Sequence, residues 1–160
     1  MKNKLLFLLV LALTCIPITG CQPEPSLLMP VVKADKTAEA VRLIEKNADA
    51  NSRTSPSGWS VLHYAAMNGN VEIVQALLKA GADANYAGAK DGQANSAKAL
   101  KPLSLAQGML EVVSQIQTPL IEANLRESGL DDPALLKSAT DPKAAERYQK
   151  VVDLLTTATK

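Results

Sequence analysis

A short motif occurs twice in this chain of 160 residues, at an offset of 34 positions. The segment EKNADAN, residues 45–51, aligns with KAGADAN, residues 79–85. Two weaker echoes follow in the same order, in which residues 101–107 resemble 60–66 and residues 150–158 resemble 72–80. A fixed period of this size is typical of tandem-repeat folds, in which each unit packs only against its neighbours. The repeat therefore indicates a fold built from stacked tandem units.

The central unit, residues 58–85, predicts two short helices. Ser60 and Asn70 each precede an apolar run, as helix N-caps do, and Gly69 suits a left-handed helix end. In the second run the polar residues recur at spacings of three and four and so share one face: Glu72, Gln75 and Lys79. Because the rest of that run is apolar on both flanks, we expect the second helix to lie between two neighbouring units.

The central unit resembles the ankyrin repeat, a unit of about 33 residues with two helices and a β-turn finger. The pattern runs G-x-T-P-L-H-x-A-A, then G-x-x-E-I-V, then L-L-x-x-G-A-D-x-N. It is matched here by Gly58, Ser60, Leu62, His63, Ala65, Ala66, Gly69, Glu72, Ile73, Val74, Leu77, Leu78, Gly81, Ala82, Asp83 and Asn85. Ser60 and Val61 replace the Thr and Pro of the pattern. The resemblance implies an all-α fold, a short ankyrin-type solenoid of about three helix-turn-helix repeats.

The last repeat is longer than the others. We expect an ankyrin-repeat domain over residues 31–160, with repeats at about 31–51, 52–85 and 86–160. The first helix of the last repeat starts at Leu103 and the second only near Ala144, which predicts a helical insertion at about 108–142. A second-ranked register takes residues 108–116 as a complete second helix, although it places glutamines at apolar positions.

The two ends of the array are predicted from polar residues at positions that are apolar in the central unit. In the first repeat the positions that would face a preceding unit hold Glu39, Arg42 and Lys46. In the last repeat the position equivalent to Leu78 holds Thr156. Terminal repeats need polar outer faces for solubility, so we expect a closed stack.

The N-terminus has the pattern of an export signal. Residues 1–20 combine a charged start, an apolar run too short to span a membrane and a small-residue site. The ending ITGC, residues 18–21, resembles the lipobox of bacterial lipoproteins, which implies a lipid on Cys21. The alternative is ordinary cleavage that leaves a thiol. Residues 21–30 hold three prolines and predict a lipidated tether. Gln22 implies, by the same resemblance, the outer membrane of a bacterial envelope, facing the periplasm.

The sequence offers few candidate residues for catalysis or for metal binding. His63, the single histidine, follows Ser60 by three residues, but a nucleophile and base would need an orienting acid and an oxyanion site. A metal site would need several converging ligands. The resemblance implies instead that Ser60 caps a helix and His63 links neighbouring loops. Without residues 1–20 the charge is 15 minus 16, which indicates no nucleic-acid surface. We expect no enzyme, cofactor, metal or small-molecule substrate.

The remaining prediction is a protein partner. Ankyrin-type stacks generally bind proteins through finger tips and the inner faces of first helices. Carried onto this chain, those positions are Arg53, Ser57, Trp59, Tyr64, Met67, Asn68, Tyr86, Lys90 and Asp91. The predicted function is a non-catalytic protein–protein interaction module anchored as a lipoprotein, specifically an immunity or inhibitor protein against a toxin or periplasmic enzyme. The alternative is an envelope scaffold or stress-linked accessory lipoprotein that binds cell-wall or outer-membrane components.

Overall fold

The structure, a computed structural model, describes residues 27–54, 58–88, 99–115 and 118–160. Eight helices lie in these ranges: α1 (Leu28–Lys33), α2 (Thr37–Glu45), α3 (Val61–Met67), α4 (Val71–Lys79), α5 (Pro102–Gln115), α6 (Thr118–Glu127), α7 (Pro133–Ala139) and α8 (Ala144–Ala158). The β-type pairing in the same ranges consists of isolated antiparallel bridges, Arg53–Ser60 and Gly88–Leu100. The all-α prediction is confirmed.

The helices form two rows that run along the stack. In one row α3 packs against both α1 and α5, and in the other α4 packs against both α2 and α8. Across the rows α1 pairs with α2, α3 with α4 and α5 with α8. Three helix pairs therefore stack side by side, which confirms the predicted solenoid with a helical insertion, α6 and α7, in its last pair.

Short polar side chains fix where the helices begin. The Asn70 side chain accepts a hydrogen bond from the Ile73 backbone N–H at 3.0 Å and caps α4. Its amide group also donates to Asp35 Oδ1 and Thr37 Oγ1, each at 2.7 Å, so the turn of the second pair is tied to the turn of the first. Asp132 caps α7 by accepting from the Ala134 N–H at 2.8 Å. These turns set the spacing of the stack.

One boundary differs from the sequence prediction, and the helix that precedes the insertion follows the preferred register. Helix α1 begins at Leu28, inside the tether predicted to end at residue 30, because the Leu28 side chain is fully buried in the core. Helix α5 is continuous from Pro102 to Gln115, so residues 108–115 lengthen the first helix of the last pair. The structure therefore has the register that the sequence analysis preferred, with α8 as the second helix of that pair.

The buried apolar residues divide into two clusters. The first lies between the two rows and includes Leu28, Val32, Ile44, Leu62, Ile73, Leu77, Val151 and Leu155. The second gathers around the insertion and includes Trp59, Met67, Met109, Ile121, Leu125, Leu135, Leu136, Ala139, Ala144 and Tyr148. The insertion is thus packed onto the stack and shares a core with α3, α5 and α8.

The outer sides of the terminal repeats are polar, as predicted. Glu39, Arg42 and Lys46 are exposed at the first pair, and Thr156 is exposed at the last. No helix among residues 27–54, 58–88, 99–115 and 118–160 is both long enough and apolar enough to cross a bilayer.

Candidate functional site

His63 lies at the start of α3 and bonds to the backbone on both sides of its ring. Its Nε2 is 2.9 Å from the Leu100 carbonyl oxygen, which only accepts, so Nε2 carries the hydrogen. Its Nδ1 then accepts from the Ser60 backbone N–H at 3.2 Å and from the Ser60 hydroxyl at 2.7 Å. The imidazole takes the place that Glu or Gln holds in a capping box. Both ring nitrogens are therefore engaged in holding the fold.

The histidine links two repeats. Leu100 is 37 residues further along the chain and lies just before α5, so the ring joins the second helix pair to the third. Among the described residues no group of three or more His, Cys, Asp and Glu side chains converges as metal ligands do. The arrangement around His63 positions loops.

Burial lowers the pKa of His63 from its ordinary value of 6.5, while the hydrogen bond to Leu100 raises it by less. The unfolded chain therefore takes up this proton at a higher pH than the folded chain does. Stability from the neutral ring is fully present above pH 6.5 and is lost as the pH falls through the window below it.

We expect the free energy of unfolding to fall as the pH is lowered from about 7.5 to about 5.5, with a slope of at most about 1.4 kcal/mol per pH unit for one proton. Because His63 is the single histidine, the His63→Gln variant is expected to be less stable but nearly flat across the same window. Urea unfolding at each pH measures both. Equal slopes in the two proteins would show that another group titrates.

An aromatic row crosses the fingers and the start of α3. It consists of Tyr64, Trp59, His63 and Tyr86. The centroid of the Trp59 ring is 5.5 Å from that of Tyr64, edge to face, and 6.0 Å from that of His63, stacked. The Tyr86 ring meets the His63 ring edge to face at 5.9 Å. These distances suit favourable aromatic contacts, so the row holds the two fingers together.

A cation lies against each end of the aromatic row. Lys33 Nζ, from α1, lies 4.6 Å from the centroid of the Tyr64 ring. The Arg53 guanidinium lies 3.9 Å from the centroid of the Tyr86 ring. Arg53 is exposed, and Lys33 and both tyrosines are partly exposed. The row therefore has a buried middle and two accessible, positively charged ends.

Three of the predicted partner contacts are wrong, because they are buried. Trp59, Met67 and Asn68 are only 7%, 5% and 2% exposed. Trp59 and Met67 belong to the core shared with α5, α8 and the insertion. The Asn68 side-chain amide donates to the Val32 carbonyl oxygen at 3.2 Å, and the Asn68 backbone carbonyl oxygen accepts from the Ser138 hydroxyl. These positions are not available to a partner.

The other predicted contacts have mixed outcomes. Arg53, Tyr64 and Tyr86 lie together at the accessible ends of the aromatic row, where their role as partner contacts stays a prediction. Ser57, Lys90 and Asp91, together with the lipidation site Cys21, lie outside the described residues.

The remaining motif residues lie in turns and the core. Leu62 is fully buried in the first cluster, and Gly69 and Gly81 both have positive φ. Asp83 Oδ1 accepts from the Asn85 backbone N–H at 2.9 Å, which closes the turn after α4. They shape the fold and are not part of the accessible surface formed by the row.

Two features of the site were missed from the sequence. Lys33 is one, although the repeat offset of 34 maps it onto Met67, a position that was selected. The other is the cover over the end of α3: Ser138 of the insertion donates its hydroxyl hydrogen to the Asn68 backbone carbonyl, and Tyr148 of α8 donates to the Met67 carbonyl oxygen at 2.7 Å. No repeat pattern predicts a contact made by an inserted segment.

The geometry defines a stack of repeats with an accessible rim and a histidine committed to the fold. The family model for ankyrin repeats (3 copies) matches residues 5–88 and 28–127 of this chain. The chain belongs to the ankyrin-repeat family. Ankyrin repeats generally serve as non-catalytic scaffolds for binding other proteins, so the chain carries a protein–protein interaction module.

Several curated proteins are similar over the repeats. The mitochondrial disaggregase of Bos taurus is 45% identical over 58 residues, which is 36% of this chain and 8% of that protein. The 2-5A-dependent ribonuclease of Mus musculus is 42% identical over 65 residues, 41% of this chain and 9% of that protein. Ankyrin repeat domain-containing protein 40 of Homo sapiens is 40% identical over 45 residues, 28% of this chain and 12% of that protein.

The chain spans only about a tenth of the length of these curated relatives. What matches is the repeat alone, and the relatives are eukaryotic. They therefore give no support to the bacterial lipoprotein type that the N-terminal sequence suggests, which stays a proposal.

Proposed function

We propose that this chain is a non-catalytic inhibitor of immunity type, held in a bacterial envelope by a lipid on Cys21. It binds a toxin or a periplasmic enzyme stoichiometrically from the outer membrane, facing the periplasm. The observation that carries the binding half of the proposal is the rim formed by Lys33, Arg53, Tyr64 and Tyr86. Large aromatic side chains and arginine are enriched in residues that dominate binding energy at interfaces.

The geometry supports binding over chemistry. The single histidine has both nitrogens bonded to the fold, and burial keeps it neutral. Tyr148, another buried titratable group, donates its hydroxyl to a backbone carbonyl, and burial raises its pKa. Neither group faces an open site in the way that a general acid or base must.

The anchoring half rests on the sequence. The lipobox-like ITGC, residues 18–21, follows an apolar run of secretory type. Stable anchoring takes two or more acyl chains, and lipoproteins of this type carry several.

Labelling with a palmitate analogue in a Gram-negative host tests the anchor. We expect the full chain to take up the label and to fractionate with membranes, and the Cys21→Ser variant to lose both properties. Cys15→Ser is the matched control and is expected to keep the label, since Cys15 lies within the predicted signal. An unlabelled full chain, or a labelled Cys21→Ser variant, contradicts the proposal.

Capture of a partner tests the inhibitor. Cross-linking in cell envelopes, followed by purification of the full chain, is expected to recover one protein at equal stoichiometry. Adding the chain to that protein should suppress its enzymatic or toxic activity at a ratio of one to one. Recovery of no stoichiometric protein contradicts the proposed function, and recovery of an outer-membrane structural protein favours the scaffold alternative.

A further inference from the structure

The two cations of the rim have aromatic rings beside them and no acidic partner in the part of the chain that the structure describes. There the ion pairs are Lys36–Glu39, Arg126–Glu122 and Lys150–Glu146. A ring face attracts a cation modestly at exposed sites but does not neutralise its charge. Lys33 and Arg53 are thus oriented and still free to meet an external anion.

Two aspartates on the neighbouring turns accept hydrogen bonds from the backbone. Asp49 Oδ1 accepts from the Asn51 backbone N–H at 2.9 Å, and Asp83 Oδ1 accepts from the Asn85 N–H at 2.9 Å. Lys101 adds another cation at the base of the second finger, where it donates to the Asn85 side chain at 3.1 Å. This side of the stack thus holds three cations, Lys33, Arg53 and Lys101, beside these two aspartates, and among the described residues neither aspartate forms an ion pair with Lys33 or Arg53.

From this geometry we propose that the rim, Lys33, Arg53, Tyr64 and Tyr86, binds an acidic, extended segment of a protein. The inference rests on the proposed binding function and names the chemistry of its partner. Carboxylates of the segment meet the Arg53 guanidinium, whose planar donors suit bidentate pairing, and the Lys33 ammonium. Apolar or aromatic side chains of the segment lie on the partly exposed tyrosine rings between them.

The dimensions fit a short peptide. Five successive contacts of 3.9 to 6.0 Å connect Lys33 to Arg53 through the aromatic row, which bounds the separation of the two charges. An extended segment rises about 3.3 Å per residue, so about eight residues are enough to reach both. Because the middle of the aromatic row is buried, the rim side chains are held in place before the segment binds. Binding therefore costs less conformational entropy than it would with mobile side chains.

Rings and cations together favour a protein over a phosphate surface such as a lipid bilayer. Single-stranded nucleic acid also stacks on rings beside cations, but the nearly neutral balance of 15 basic and 16 acidic residues without residues 1–20 disfavours it. A bilayer surface needs charge alone, whereas two of the four rim residues, Tyr64 and Tyr86, are aromatic and suit contact with peptide side chains. Binding of anionic lipid or of single-stranded nucleic acid in place of a peptide is therefore examined in the test.

The test measures binding of a fluorescein-labelled octapeptide of alternating Glu and Tyr to the full chain by fluorescence anisotropy. A matched octapeptide of Lys and Tyr is the control. We expect the acidic peptide to bind, the basic peptide not to bind, and the affinity to fall as salt rises from about 50 to about 300 mM. No binding of the acidic peptide, or equal binding of both peptides, overturns the inference.

Charge reversal locates the site. Arg53→Glu is expected to weaken the acidic peptide about tenfold, because it sets like charges against each other. Lys46→Glu, at an exposed position after α2, is the matched control and is expected to change the affinity less than twofold. Arg53 is exposed and loses only its contact with the Tyr86 ring, so its variant is expected to melt no more than about a few degrees below the parent chain. Equal losses in the two variants overturn the inference, as does displacement of the peptide by phosphatidylglycerol vesicles or oligothymidylate at lower concentration.

The same variant separates this inference from the proposed function. If a stoichiometric partner is captured equally by the parent chain and by Arg53→Glu, the acidic-segment inference is wrong and the binding function stands. If the parent chain captures no partner, the proposed function itself fails. A partner lost by Arg53→Glu but retained by Lys46→Glu supports both.

Discussion

Gly69→Ala is expected to lower the free energy of unfolding by about 2–5 kcal/mol. Gly69 ends α3 with φ +65°, a left-handed conformation that costs an L-residue about 1–2 kcal/mol. A Cβ there would also lie 2.8 Å from a carbon of the fully buried Tyr148 ring. Overpacking of that kind typically costs about 1–3 kcal/mol, because the ring and the backbone around it must shift.

Gly81→Ala is the matched control for that change. Gly81 also has a positive φ, +84°, but nothing lies within 4 Å of the Cβ position. Its substitution is expected to cost only the conformational strain, about 1–2 kcal/mol. Urea unfolding of the two variants measures the difference. Equal destabilisation would show that Tyr148 does not press against Gly69.

Tyr148→Ala is expected to destabilise the chain by about 3–5 kcal/mol, as large-to-small changes of buried aromatics do. The Tyr148 side chain is fully buried and packs in the core that joins α8 to α3 and the insertion. Its hydroxyl donates to the Met67 carbonyl oxygen at 2.7 Å. The loss therefore reaches the second helix pair as well as the third.

Tyr148→Phe isolates the hydroxyl. It keeps the ring but leaves the Met67 carbonyl without this donor, for an expected loss of about 1–3 kcal/mol. Thermal and urea unfolding followed by circular dichroism measure both variants. A Phe variant as stable as the parent, or an Ala variant that loses less than the Phe variant, contradicts this account of how α8 is held.

The repeated part of the fold could be predicted from the sequence because its signals are local. Asn70 precedes an apolar run and caps α4, and Gly69 has the positive φ that its position suggested. The polar outer faces followed from comparing equivalent positions between repeats. Each of these inferences needs only neighbours along the chain or one repeat away, where spacing determines what is adjacent.

The covered part of the site could not be predicted, because the insertion does not repeat. Family spacing placed Met67 and Asn68 on an open inner face, and it contains no information about where α6 and α7 pack. Ser138, in the insertion, reaches Asn68 from 70 positions away, and Tyr148, in α8 after the insertion, reaches Met67 from 81 positions away. Lys33 lies on the first helix of the first repeat, whereas the family resemblance placed the partner contacts on the fingers and on the first helix of the second repeat.

If Cys21 carries the proposed lipid, the start of α1 at Leu28 limits how far the domain can stand from the membrane. Six residues lie between Cys21 and Leu28, and the seven fully extended steps from one to the other span about 25 Å at most. With a lipid on Cys21, the repeat stack would therefore stay close to the bilayer surface. It would then bind partners that cross the membrane or lie at its surface. Proteins that remain in solution away from the membrane would be out of its reach.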